Sequence, residues 1–145
     1  ENLQKLLAHV GIRIGKPTEA QEQVVFFTNL ILCLKEGGLQ APVNILWSTN
    51  CTNEFFKPLV HIIRPKAILA LGAEATRSIL DLFTVYLKNS ASLKGLVENA
   101  PYPITDSTVL FPLYHCGQRG VNMNRSMELQ MRDWDKVTKW LNKHY

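Results

Sequence analysis

The stretch Val24-Val25-Phe26-Phe27-Thr28-Asn29 decides the fold that the sequence predicts. Apolar, β-favouring residues follow one another over the length of a strand, and the run ends abruptly in a polar Thr-Asn pair. A strand that is apolar at successive positions is typical of a parallel sheet covered by helices on both faces. Ligands of such sheets bind just beyond the carboxyl ends of the strands, so Asn29 is a candidate binding residue. The alternative is that Asn29 only caps a turn.

The composition is that of a globular chain with a substantial core. A length of 145 residues fits one domain, and 46% hydrophobic with 19% charged residues excludes a disordered chain. The formal net charge of +4 is compatible with a polyanionic partner but does not identify one. No apolar run reaches membrane-spanning length, so we expect no membrane partner. Three cysteines without a closely spaced pair favour a reducing, intracellular compartment, the cytoplasm or the nucleus.

Periodicity predicts that helices and strands alternate along the chain. Apolar residues recur every three to four positions in the helical segments, and short apolar runs bounded by Gly or Pro mark the strands. Pro58 is awkward in the second helix, because a proline beyond the first turn removes a backbone hydrogen bond; that helix starts late or kinks there. The alternation implies an α/β fold with a parallel sheet. The predicted helices are 1–10, 52–64, 73–87 and the segment after Ser126, with the apolar stripe Met127, Met131, Trp134, Val137 and Leu141; the predicted strands are 24–29, 66–71 and 108–114, and 88–107 is predicted as loop with a short hairpin.

A second polar group follows the last predicted strand. His115 opens a glycine-bracketed loop, residues 115–120, at the carboxyl end of that strand. Because carboxyl ends of parallel strands share one edge of a sheet, we expect Asn29 and His115 to face a common cavity. A neutral imidazole can donate a hydrogen bond to a developing oxyanion, and an asparagine amide can pair with the edge of a ring. The alternative for His115 is a ring satisfied by local backbone. The other histidines are expected on helix surfaces without a role: His9, His61 and His144.

Three segments, in order, resemble the uracil-DNA glycosylase superfamily. Phe26-Phe27-Thr28-Asn29-Leu30-Ile31-Leu32-Cys33 is similar to the family's strand that ends in Thr-Asn and runs on to a Cys. Residues 51–59 and 63–72 resemble the helix and strand that follow. Phe111-Pro112-Leu113-Tyr114-His115 resembles the strand that leads to the last motif, normally a His-Pro pair. The resemblance covers most of the chain, from about Leu3 to Trp134.

The resemblance implies both a fold and an activity. The fold is a three-layer α/β/α sandwich with a central, mostly parallel sheet, formed by residues 1–145 as a single, monomeric domain that lacks its N-terminal segment. Members of the family bind single- or double-stranded DNA, flip out a uracil or related deaminated base and hydrolyse its N-glycosidic bond. Asn29 would match the asparagine that pairs with the uracil edge. His115 would match the histidine that donates to uracil O2 as negative charge builds on the leaving base.

The segment after His115 would match the family loop that presses into the minor groove. Arg119 and Arg125 would reach phosphates, and Val121 or Met123 would serve as an apolar wedge. The alternative for the two arginines is ordinary surface charge. The DNA-binding residues implied by the match are Gly117, Gln118, Arg119, Asn122, Asn124 and Arg125.

Cys33 and Cys51 fall where iron–sulfur members of the family place the later two of their cluster cysteines. Because such clusters need further protein ligands, and the earlier pair would lie upstream, we expect this chain alone to hold no cofactor. A [4Fe–4S] cluster would belong to the full-length protein. The alternative is that both cysteines are buried thiols that pack as small hydrophobic side chains.

Two departures from the family pattern keep other functions open. The Gly-rich motif that supplies the water-activating residue is not in the sequence, and Cys116 follows His115 in place of proline. The first alternative is therefore a non-catalytic nucleic-acid- or base-binding module of the same fold. The second is an unrelated nucleotide-binding α/β domain, against which the absence of a phosphate-loop motif counts.

Overall fold

The computed structural model describes residues 1–12, 14, 25–32, 44–86, 92–117 and 125–144. They divide into two compact units, one formed by Glu1–Phe27 with Leu113–Tyr145 and the other by Thr28–Pro112. The mixture of helices and strands is that of the α/β class. Along the chain the described elements are α1 (Asn2–His9), α2 (Ile45–Cys51), a π-helical turn (Thr52–Phe56), α3 (Lys57–Ile63), β1 (Ala67–Leu71), α4 (Ala73–Leu82), α5 (Leu93–Glu98), β2 (Tyr102–Pro103), β3 (Val109–Leu113) and α6 (Met127–His144).

The first unit is built on α1 and α6, which contact each other. Leu6 and Leu7 form the buried stripe of α1, and Trp134 and Val137 are buried on α6. Both helices were predicted, and α1 ends at the predicted glycine. Gly11 has a φ of +78°, and the next N–H, that of Ile12, donates to the Leu7 carbonyl at 2.9 Å. This is the usual way in which a glycine closes a helix.

The buried face of α6 differs from the predicted apolar stripe. Trp134 and Val137 are buried as predicted, but Gln130 and Asp133 are buried beside them. Met131, by contrast, is only half-buried. Hydrophobic periodicity misses this face because it counts every polar residue as exposed. Asp133 accepts two hydrogen bonds from the Arg125 guanidinium, and Gln130 donates from Nε2 to the Arg125 carbonyl.

The second unit contains a three-stranded sheet in the order β1-β3-β2. Strand β2 is antiparallel to β3, with Tyr102 opposite Leu110. At the other edge the Val109 N–H donates to the carbonyl of Lys66, just before β1, at 3.2 Å. Strands β1 and β3 were predicted; the hairpin was predicted within residues 88–107, but only its first strand, β2, lies there. The sheet of the described residues is nevertheless mixed, whereas the sequence predicted a mostly parallel one.

The stretch predicted to be the first strand does not form one. Its described residues, 25–29, have no regular secondary structure, and Phe26 and Phe27 are 57% and 52% exposed. The prediction of a buried strand is therefore wrong for these residues. β-favouring side chains indicate only that a segment would fit a pleated, half-buried surface. They do not indicate whether a neighbouring strand is present to pair with it. Only Leu30, just beyond the stretch, packs against the core of the second unit.

Residues 45–63 form a continuous helical segment that accommodates Pro58 by a π-helical turn. In a regular α-helix the proline ring would clash with the carbonyl four residues earlier. Here the π-helical turn lies directly before α3, so Pro58 falls in the first turn of that helix. The predicted irregularity at Pro58 is confirmed. The predicted start is wrong, because Asn44 caps the helix earlier by accepting a hydrogen bond from the Leu46 N–H at 2.9 Å.

In the second unit, helix α4 is shorter than predicted and helix α5 was not predicted. Helix α4 ends at Leu82 because Thr84 turns into the left-handed region, with a φ of +56°, and the Val85 N–H donates to the Leu80 carbonyl at 2.9 Å. Helix α5 occupies part of the predicted loop. Its cap is Ser92, whose Oγ accepts from the N–H of Gly95 at 3.2 Å. Helix propensity does not predict this short helix, because it contains a glycine, which disfavours helix formation.

Gly11 and Gly95 provide a matched pair of Gly→Ala substitutions. Gly11→Ala should lower the free energy of unfolding by about 1 kcal/mol, because φ is positive there and a side chain is strained. Gly95→Ala should raise it by about 0.5 kcal/mol, since an alanine Cβ would make only an ordinary 3.6 Å contact with Ser92 Oγ. Urea unfolding followed by circular dichroism measures both. Equal effects of the two substitutions would contradict the backbone conformations described.

Candidate functional site

Strand β3 carries His115 to an exposed position just beyond its carboxyl end. The ring is held by local backbone, because its Nδ1 accepts a hydrogen bond from the Gly117 N–H at 3.0 Å. In a neutral imidazole one nitrogen accepts and the other carries the hydrogen, so this contact assigns the hydrogen to Nε2. The predicted alternative, satisfaction by local backbone, is thus correct for Nδ1. It also makes Nε2–H the donor of this exposed ring.

Gly117 is close to the His115 ring for a steric reason. A Cβ at residue 117 would lie 3.0 Å from Nδ1 and 3.1 Å from Cε1 of His115. A residue with a side chain at this position would require the His115 ring to shift by a few tenths of an ångström. Gly117 was predicted to contact DNA, and that contact stays a prediction. The structure adds a second role, which is to hold the orientation of the histidine.

Cys116 points inward from the position where the resembled family has proline. Its side chain is 8% exposed, and its carbonyl accepts a hydrogen bond from Asn2 Nδ2 at 2.9 Å. Burial raises the pKa of the Cys116 thiol. The residue after His115 is thus anchored to α1. Asn2 was missed at the sequence level, because a contact between residues 114 positions apart leaves no local pattern.

Arg125 lies in an ion pair that the sequence did not predict. Its Nε donates to Asp133 Oδ2 at 3.0 Å, and its Nη2 donates to Asp133 Oδ1 at 2.8 Å. The side chains are 20% and 6% exposed, respectively. The guanidinium also stacks on Tyr114, with Cζ 5.1 Å from the ring centroid. Arg125 is therefore not ordinary surface charge, and its predicted contact with phosphate stays a prediction.

Asn29 lies in the other compact unit. It is exposed, and the Thr28 hydroxyl donates to its backbone carbonyl at 3.1 Å. Its neighbour Leu30 packs against the core of that unit. Asn29 and His115 belong to different compact units. The prediction that they share a cavity stays a prediction.

The second unit also has two shallow surface clefts, and Asn29 lines neither of them. One lies between α2 and α4, and the other lies beside α3 and the end of α4. Both have mixed polar and apolar linings, and no sequence-predicted site residue contributes to them. The first is lined by Ile45, Ser48, Glu74, Arg77, Ser78 and Asp81, and the second by Lys57, His61, Leu82, Phe83, Thr84, Ile104, Thr105 and Asp106.

Cys51 is a buried free thiol at the end of α2, with 7% of its surface exposed. Such burial is what the alternative to an iron–sulfur ligand predicts for this residue. No group of three or more His, Cys, Asp or Glu side chains arranged to hold a metal ion occurs within the described ranges. Cys33 lies outside them. The iron–sulfur role of both cysteines stays a prediction.

Much of the predicted DNA-contacting segment lies outside the described residues. Gly117 and Arg125, at its two ends, are described. The contacts that these two residues make within the protein do not bear directly on DNA. The predicted residues outside the described ranges are Gln118, Arg119, Val121, Asn122, Met123 and Asn124.

Comparison with known proteins leaves the family unidentified. No family model matches the chain, and no curated protein matches it significantly. The resemblance to the uracil-DNA glycosylase superfamily is therefore a proposal.

Within the described part of the chain, no helix combines the length and the apolar character needed to cross a bilayer.

Gly117→Ala should displace the His115 ring, because the added methyl would lie closer to Nδ1 and Cε1 than ordinary contact allows. We expect the imidazole to lose its single tautomer. Nitrogen-15 NMR of the ring, recorded at alkaline pH, measures the tautomer populations. Gly95→Ala is the control and should leave the His115 resonances unchanged. An unaltered His115 spectrum in Gly117→Ala would contradict the close approach.

Stability should fall as the pH rises past 9, because burial raises the pKa of the Cys116 thiol above its ordinary value of 9.0. Above that pH the unfolded chain releases the thiol proton more readily than the folded chain. Burial also raises the pKa of Tyr102, which adds to the loss at still higher pH. Urea midpoints at pH 7.5 and pH 10 measure the fall. It should be smaller in Cys116→Ala than in the unsubstituted protein, and an equal fall would refute the assignment.

Proposed function

We propose that the protein is a DNA repair glycosylase that hydrolyses the N-glycosidic bond of a flipped-out uracil or related deaminated base. The observation that carries the proposal is the exposed His115 ring beyond β3, with Nδ1 occupied by the Gly117 N–H and the hydrogen on Nε2. The proposed fold is the three-layer α/β/α sandwich of the uracil-DNA glycosylase superfamily. The α/β character of the described residues is compatible with it.

The chemistry of glycosidic cleavage explains why such a histidine is useful. As the bond breaks, the sugar becomes oxocarbenium-like and negative charge builds on the leaving base. A donor that is already oriented toward this charge stabilises the transition state without reorganising, and loss of one such donor typically costs about 10²–10³ in rate. In the proposal, His115 Nε2–H donates to uracil O2. Gly117 contributes by holding the ring in the donor tautomer.

Asn29 supplies base recognition in the proposal. An asparagine amide both donates and accepts, which matches the alternating N–H and carbonyl groups of the uracil edge. Extrusion of a base costs a few kcal/mol, and contacts in the pocket offset that cost. The partner is single- or double-stranded DNA carrying the damaged base. We propose that the protein acts as a monomer inside the cell.

A second candidate is a base-binding module of the same fold without glycosylase activity. The observation that favours it is Cys116, which is buried directly after His115, where the resembled family has proline. Such a module would keep the Asn29 and His115 contacts to a base. It would bind uracil-containing DNA without producing abasic sites.

The two candidates are separated by incubating the full-length protein with a uracil-containing single strand and cleaving abasic sites with alkali. We expect cleavage, with His115→Ala reducing the rate by about 10²–10³ through loss of the donor. Asn29→Ala should abolish the preference for uracil over cytosine, because the two bases differ in the N–H and carbonyl pattern that the amide reads. The control is His61→Ala, which removes an exposed histidine of α3 and should leave the rate unchanged.

The other outcomes of this assay are equally informative. Binding that prefers uracil-containing DNA without abasic sites would establish the non-catalytic module. The absence of any preference for uracil, measured at several salt concentrations, would overturn both candidates. Salt must be varied because contacts to phosphate dominate the affinity of sequence-independent binding.

A further inference from the structure

Arg125 and its neighbours form a group of contacts around the residue that precedes His115. We propose that Arg125 is a positioning residue for His115 and does not contact DNA phosphate. We name the group the Arg125 clamp and define it as Tyr114, Arg125, Gln130 and Asp133. The inference depends on the proposed function in one respect only, which is the catalytic role that the proposed function assigns to His115.

The ion pair fixes the plane of the guanidinium. Two parallel hydrogen bonds, at 3.0 and 2.8 Å, join Arg125 to both oxygens of Asp133. Such a bidentate pair restrains orientation as well as distance, which a single contact does not. The Asp133 side chain is only 6% exposed and lies on α6, so the restraint comes from the packed face of that helix.

The backbone of Arg125 is restrained from the same helix. Gln130, which is fully buried, donates from Nε2 to the Arg125 carbonyl at 3.1 Å. The next residue, Ser126, precedes α6, and its Oγ accepts from the Leu129 N–H at 3.4 Å. Both the side chain and the main chain of Arg125 are therefore tied to the first turns of α6. This residue has little freedom to reach outward.

The clamp acts on His115 through the residue before it. The Arg125 guanidinium lies over the Tyr114 ring, with Cζ 5.1 Å from the centroid, which is within the range of a cation–π contact. On the other side, Asn2 holds the Cys116 carbonyl at 2.9 Å. His115 thus lies between two anchored neighbours. Tyr114 is restrained from α6 and Cys116 from α1, which limits the directions in which Nε2 can point.

The charge of Arg125 is already neutralised within the clamp. A DNA phosphate would have to compete with a carboxylate that makes two short, charge-assisted hydrogen bonds in a mostly buried setting. Replacing Arg125 should therefore leave the number of counterions released on DNA binding unchanged. A phosphate-contacting arginine, in contrast, contributes about 1 to the slope of the logarithm of affinity against the logarithm of salt concentration.

The first test is the state of the His115 ring in the clamp variants, measured by nitrogen-15 NMR of the imidazole. Arg125→Met and Asp133→Asn should both convert the single tautomer of His115 into an averaged one. Arg132→Met is the matched control, because Arg132 pairs with Glu128 on the exposed side of the same helix. Unchanged His115 resonances in both clamp variants would overturn the proposal. This readout requires neither DNA nor activity, so it stands even if the glycosylase proposal fails.

The second test is the salt dependence of binding to a uracil-containing oligonucleotide. We expect Arg125→Met to keep the slope of the unsubstituted protein, and a slope reduced by about 1 would identify a phosphate contact and overturn the proposal. If Arg125→Met does not fold, Tyr114→Leu and Tyr114→Phe replace it in the NMR test. Loss of the ring should disturb the His115 tautomer, whereas loss of the hydroxyl alone should not. An equal response to the two tyrosine substitutions would also refute the clamp.

Discussion

Burial of β3 is the constraint on which the candidate site depends. Leu110, Phe111 and Leu113 are almost completely buried, so the strand cannot slide or rotate without exposing them. The chain therefore leaves the sheet at a defined point, and His115 is the exposed residue that follows. Gly117 and the Arg125 clamp make their contacts at residues 114 and 115, directly after this strand.

The fold was predictable where one segment carries its own signal. Helices α1 and α6, strands β1 and β3, and the turn at Gly72 all follow from apolar spacing or from a residue with a special conformation. The prediction of a buried strand over 24–29 failed at the described residues, because apolar residues alone do not specify which surface will cover them. A run of the same character, β3, is buried. The two runs differ in their partners, and partners are a property of the whole chain.

The candidate site divides in the same way. His115 was identified from its place after a strand, and a simple rule about sheets was enough to find it. Its tautomer depends on Gly117 two residues away, which only coordinates reveal. The links from Asn2 to Cys116 and from Asp133 to Arg125 join segments whose positions no spacing rule relates. Gln130 and Asp133 even contradict the pattern that predicts α6, since polar residues lie on its buried face.

The π-helical turn at Thr52–Phe56 has a consequence for the sequence of the helical segment around it. Besides Cys51, buried side chains recur there every four residues, at Ser48, Thr52, Phe56 and Val60. In an ideal helix of 3.6 residues per turn, each such step would overshoot the core by about 40°. The π-helical turn has more residues per turn than an α-helix. It therefore reduces this overshoot and keeps the whole series on one face of the helical segment. The four-residue spacing of the buried side chains and the π-helical turn therefore match each other, because a helix with more residues per turn brings residues four apart onto the same face.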